Sequence, residues 1–312
     1  MNIADRKENR ANGVSTLALA THQNATARLL TVISLIFLLS TATSLLAQSL
    51  NWEGQTGAFV TPFAYTSSSP GSGFGHPAVS FHYLNAGEVI GNEFQASITV
   101  GFLKRFEIGY TRSFNAAGDN ATLSPLFEGG FNIFHGKANL LRENAWKNNY
   151  LPAISAGFVV RSEVRHVGGV LNNADTTNGD AYLVATKTIT QVPKLPIVLN
   201  LGGKATNAAV LGIAGNAAAW QGRLFGAAGF VLPGPAKSKL VVGSEFAQEP
   251  HHIQGLPGAT LPTTLTYFVR VLPNPERPIN VDFGVAQAAG RVLPNADVQA
   301  KAQFAFGISY RL

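Results

Sequence analysis

The sequence predicts an all-β fold: a closed antiparallel transmembrane β-barrel of about 12 strands, the even count such barrels use. Three observations predict it. Apolar residues recur at every second position over many stretches of about ten residues, the length a tilted strand needs to cross a bilayer. The positions between them hold mostly Gly, Ala, Ser, Thr and Asn, with sparse charges. Charged residues make up only 13% of the chain while hydrophobic ones reach 46%. That mixture is too apolar for disorder and too poor in charge for an ordinary soluble surface.

The first element is a leader. Leu29–Leu46, "LLTVISLIFLLSTATSLL", is the one long apolar run; Arg28 precedes it and Ala47-Gln48 follows. A basic residue, an apolar core and a small residue before a polar one describe a cleaved signal peptide. The competing reading is a membrane anchor. Thr31, Ser34, Ser40, Thr41, Thr43 and Ser44 dilute the run, and no positive charge stops it afterwards. Residues 1–47 are therefore expected to be a signal peptide, 48–77 an N-terminal segment, and 78–312 the barrel. Export with no later apolar span leaves the periplasm, the exterior or the outer membrane of a Gram-negative cell.

The strands follow in order. Ala78–Leu84 opens the series. "EFQASITVGF" sets Phe94, Ala96, Ile98, Val100 and Phe102 against Gln95, Ser97, Thr99 and Gly101, and "RFEIGYT" continues with Phe106, Ile108 and Tyr110 against Glu107, Gly109 and Thr111. Less regular stretches are Gly129–Leu140, Leu151–Val164, Asp180–Thr190 and Arg223–Leu232. "LPIVLNLGGKAT", "KLVVGSEF", "TTLTYFVRV" and "RPINVDFGVAQ" alternate cleanly, and the chain closes on "QAKAQFAFGISYRL". Successive side chains on a strand point to opposite faces, so each stretch has two faces. In a soluble sandwich the polar face would carry Lys and Glu freely. Here it carries small residues and about one charge per strand, which suits a confined interior. Tyr310 and Leu312 fall where an interfacial aromatic belt is expected, and a backbone in lipid must close its sheet to pair its polar groups.

Connections alternate long and short, the asymmetry of barrels with short periplasmic turns. Twelve strands from Ala78 onward place both ends in the periplasm. "TGAFVTPFAYT", Thr56–Thr66, is then left over, since a thirteenth strand would break parity. It is expected at the barrel entrance or in the lumen; the alternative is two extra strands, making fourteen. Ala205–Trp220 reads as a long external loop of small apolar residues, folding inward as a constriction or back onto the rim.

Little in the chain suggests reaction chemistry. Cys is absent, which excludes disulfides and thiolate metal sites. The net charge of +6 forms no basic stripe, so no nucleic-acid partner is expected. The Gly-rich "SPGSGFGHP", Ser69–Pro77, lacks the Lys-Ser or Lys-Thr of a phosphate loop. His251-His252 lacks a third metal ligand. His82 near Ser80, and His135 near Lys137, come with no nucleophile motif. No catalytic residue, cofactor or metal is expected. The informative set is Glu107, Arg161, Lys204, Glu245, Arg270 and Asp282. These charges either pair across the interior and fill it, or line a solute path.

"NWEGQTGAFVTPFAYT", "LPIVLNLGGKATNA", "LPTTLTYFVRV", "NVDFGVAQAAGR" and "FGISYRL" resemble an uncharacterised family of Gram-negative outer-membrane barrels, a domain of unknown function. More distantly, Gly-x-Thr-Gly followed by Pro near the N-terminus, Gly54–Gly57 with Pro62 after it, is similar to barrels linked to exopolysaccharide export. Leu312 departs from the Phe that usually ends such barrels. The resemblance implies location and fold but no substrate. The reading is a porin-like outer-membrane channel passing small solutes, with outer-membrane lipid, lipopolysaccharide and the barrel-assembly machinery as partners. The alternatives are a plugged structural or polysaccharide-export partner barrel, and an outer-membrane lipid-modifying enzyme with a Ser-His pair on its lipid face.

Overall fold

The computed structural model describes residues 49–116, 118–122, 124–164, 176–192, 195–274, 278–289 and 302–312. The expected signal peptide lies outside the described residues. The strands are β1 (Ala78–Asn85), β2 (Asn92–Phe102), β3 (Phe106–Ala116), β4 (Asn132–Leu141), β5 (Ala153–Ser162), β6 (Asn178–Ile189) and β7 (Ile197–Ala208). They continue with β8 (Asn216–Pro233), β9 (Lys239–Ala247), β10 (His251–Ile253), β11 (Leu256–Thr260), β12 (Thr263–Leu272), β13 (Ile279–Ala289) and β14 (Gln303–Arg311). Strands β1 to β9 pair in sequence, β9 pairs with β12, β12 with β13, β13 with β14, and β14 returns to β1; every pair is antiparallel. Twelve strands thus close a ring. The other two, β10 and β11, form a hairpin that hangs on β8 outside it, so fourteen strands do not make a fourteen-stranded barrel.

Side-chain parity sets what each face meets. Every ring strand exposes a large apolar or aromatic residue: Phe81, Ile98, Ile108, Phe134, Phe158, Leu183, Leu199, Phe230, Val242, Tyr267, Phe283 and Phe304. A continuous apolar girdle of that extent is foreign to a soluble monomer and is what a lipid-facing wall requires. The residues between them are buried inside, and they include Glu107, Arg161, Glu245, Arg270 and Asp282.

The connection read as Ala205–Trp220 is shorter than expected. β7 runs to Ala208 and β8 begins at Asn216, leaving only the turn 209–215. Backbone pairing extends β8. Beyond the Thr206–Gln221 pair its register with β7 shifts, and Ala217 pairs with Ile253 of β10. Small residues permit that pairing without declaring it in the side-chain pattern. The turn tip still reaches the lumen: a Cβ on Gly212 would stand 2.6 Å from Arg161 Cδ, and Ala209 and Ile213 are buried.

Candidate functional site: the occupied lumen

The stretch Thr56–Thr66 belongs to no strand of the ring. Residues 49–67 make only two isolated bridges, Leu50 with Thr56 and Gly57 with Pro62, and they fold as a buried knot among inward-facing side chains. Trp52, Phe59 and Phe63 are at most 3% exposed. They pack with Val198, Phe225, Val241 and Phe268 of the wall in one apolar cluster. Asn51 organises the local turn, its Oδ1 accepting from Glu53 N and Gln55 N.

Most of the bonds that hold the segment go to its main chain. Glu245 accepts from the consecutive N–H groups of Phe59 (2.9 Å), Val60 (2.9 Å) and Thr61 (2.6 Å), and from Thr61 Oγ1 at 2.7 Å. Arg270 donates to the carbonyls of Gly57 (2.9 Å) and Ala58 (3.0 Å). One short turn is thus gripped through its donors by an acid and through its acceptors by a base. Glu107 accepts from Thr56 N at 3.0 Å, from Thr56 Oγ1, and from Ser67 N at 2.6 Å, while Lys137 donates to Thr56 O at 2.9 Å. Further along, Asn200 donates to Pro62 O, Thr186 accepts from Ala64 N, and Ser155 and Asn139 donate to Ala64 O.

Side chains of the segment contribute at two levels. Glu53 meets Arg161 (Nε–Oε1 2.6 Å), which also holds Asp180 at 2.7 Å. Tyr182 donates to Gln55 at 2.7 Å, and Tyr65 donates to Glu143 at 2.8 Å.

Of the six charges singled out in the sequence, Glu107, Arg161, Glu245 and Arg270 touch the segment directly. Asp282 acts through Arg270, its register partner, at 2.6 Å. Lys204 stands apart from the segment, with Nζ 3.9 Å from Asp180 Oδ1. The charges therefore neither simply cancel across the interior nor face an empty path; they meet an occupant. Lys137, Asp180 and Tyr182 share the inward parity of their strands and could have been found from it. Glu249, in the connection from β9 to β10, could not. It is buried, accepts from Val210 N and Thr264 Oγ1, and burial pushes its carboxyl above the usual range against the pull of Lys204.

His82 and His135 lie inside the wall, buried, and not on the lipid face. Among the described residues no group of three or more acidic or histidine side chains is placed to hold a metal. Among the described residues, the space beside the segment includes cavities of about 10 and 20 Å³, room for about one water each.

The ring, its apolar girdle and its polar interior define the class: an outer-membrane β-barrel, in contact with the lipid of a Gram-negative cell. The chain belongs to the family described as "Protein of unknown function (DUF3034)", whose model matches residues 48–275. No curated protein sequence matches significantly. Among solved structures the chain is similar to the KdgM porin (9% identity, 75% of this chain and 99% of that one, TM-score 0.43). It is also similar to the NanC porin (8% identity, 76% and 100%, TM-score 0.43). A third is the COG4313 outer membrane channel from Pseudomonas putida F1 (9% identity, 78% and 97%, TM-score 0.42).

Proposed function

We propose that the protein is a porin-like outer-membrane channel for small solutes, held closed by residues 49–67. Glu107, Arg161, Lys204, Glu245, Arg270 and Asp282 would line the path once the segment shifts. The observation that supports this is the nature of the occupant. The lumen is filled by a segment that joins the ring through the stretch 68–77 and is otherwise held by side-chain contacts, not by a β-ladder. Such a segment can leave while the wall stays closed. Lipopolysaccharide in the outer leaflet and the barrel-assembly machinery complete the proposed partners.

Planar-bilayer conductance tests the reading. Intact protein is expected to give small or brief steps, and protein lacking residues 49–67 larger, long-lived ones. Glu53→Gln, which weakens the grip on Arg161 and keeps the core, should lie between them. Silence from all three would overturn the channel. A second reading, a permanently plugged structural or polysaccharide-export partner, draws on how thoroughly the segment is bonded. Co-purification of periplasmic export components with a non-conducting barrel would favour it.

A further inference from the structure

Charge is divided between the two rims of the ring. In the short connections stand Lys104 and Arg105 (β2 to β3), Arg142 and Lys147 (β4 to β5) and Lys237 (β8 to β9), all exposed. Among the described residues the one acid there is Glu143. Its side chain is only 6% exposed and turns inward, accepting from Thr188 N at 2.6 Å and Tyr65 OH at 2.8 Å and pairing with Lys187 at 3.3 Å. The long connections reverse the balance. Their described residues carry Asp119, Glu128, Glu163 and Glu249 and no Lys or Arg.

Four of the cations form one patch. Arg105 Nη1 donates to the carbonyls of Asn139 (3.1 Å) and Leu140 (3.3 Å). That joins the turn after β2 to the end of β4, from which Arg142 and Lys147 follow. The patch borders the lipid-facing wall. Phe106 and Leu140 share the outward parity of Ile108 and Phe134, and they are the girdle residues of β3 and β4 nearest this rim. Just past them the connection from β4 to β5 presents Trp146 and Tyr150, 83% and 86% exposed. Asn144, Trp146 and Lys147 all take left-handed φ, 56°, 53° and 59°, a backbone that side chains with a Cβ avoid. The loop is held in that form: Asn144 N donates to Leu151 O at 3.1 Å, and Lys187 Nζ donates to Asn144 Oδ1 at 2.6 Å. A costly conformation kept in place to stand a tryptophan in the open points to recognition.

We infer that the rim around Arg105, Arg142 and Lys147 binds net-negative glycerophospholipid, such as phosphatidylglycerol, in preference to zwitterionic lipid. Exposed aromatics at the end of a lipid-facing wall lie at headgroup level, and clustered Lys and Arg beside a membrane attract anionic headgroups. A soluble polyanion would meet the cations alone. A lipid meets both features, its phosphate at the cations and its upper acyl chain at Leu140 and Trp146. The inference stands independently of the channel reading.

Quenching of Trp146 by brominated lipid tests it, in nanodiscs of phosphatidylcholine, with folding checked by the heat-shifted gel band. The variant W220F keeps Trp146 and Trp52, and W146F/W220F supplies the Trp52 background to subtract. Brominated phosphatidylglycerol is expected to quench several-fold more than brominated phosphatidylcholine at equal mole fraction, and the difference should shrink in high salt. Adding R142Q/K147Q should leave quenching by the two lipids equal; K147Q alone, if the double change fails to fold, should narrow the gap. Equal quenching before those changes would overturn the inference, and so would a preference that survives them. Quenching by neither lipid, with soluble polyglutamate shifting the Trp146 emission instead, would overturn it in favour of an acidic soluble partner.

Discussion

Glu245 carries the most demanding local arrangement in the molecule. It is buried with no cation in ion-pair reach among the described residues, and three successive main-chain N–H groups converge on it. A carboxylate can accept all of them; an amide cannot, because its NH₂ would face a donor. Glu245→Gln is therefore expected to cost about 2 kcal/mol, more than an exposed Glu→Gln change. Urea unfolding of the reconstituted barrel measures it, and on the proposed channel reading the variant should also lengthen open times in bilayers. Arg270 differs. It is paired with Asp282 as well as with the segment, so its loss would strand a buried carboxylate, at roughly 3–5 kcal/mol. The inward placement of both residues was legible from strand parity. Their partners were not, because Gly57 lies 213 positions from Arg270 and nothing in either stretch marks the other.

At the scale of elements, the twelve ring strands were legible because alternation is a local property of the backbone. β8 exceeded its expected start at Arg223 because β7 continues to pair with Gly222, Gln221 and, past a register shift, Asn216, while Ala217 pairs with β10, a strand of only three residues with no pattern of its own. The short turns carry their own signature. Leu103 and Lys104 both take left-handed φ, 54° and 56°, and Arg105 N bonds to Phe102 O. Ala236 and Lys237 repeat the arrangement. Turns of this hand suit hairpins but penalise side chains with a Cβ. Lys104→Gly is expected to stabilise the barrel by roughly 0.5–1 kcal/mol, read as a higher urea midpoint with unchanged conductance.

For the molecule as a whole, the segment makes the interior a mixed core, partly apolar around Phe59 and Phe63 and partly ionic around Arg161 and Glu107. Its three tryptophans report on different places: Trp52 is 2% exposed inside, Trp220 58% and Trp146 83% outside. In the double variant W146F/W220F the remaining emission should be blue-shifted and resist iodide. If the proposed channel opens by release of residues 49–67, that emission should shift red and become quenchable in step with conductance. Iodide access to Trp52 in the closed state would contradict the buried knot.

The sequence by itself determined the strands, their two faces, the number that closes the ring and the side on which the charges stand. All of these follow from which way each successive side chain points. Only the tertiary structure decided what those charges hold. Closing the ring brings β3, β5, β9 and β12 around one irregular segment whose main-chain groups, identical in every residue, do the binding. No side-chain pattern announces a partner that is recognised through its backbone.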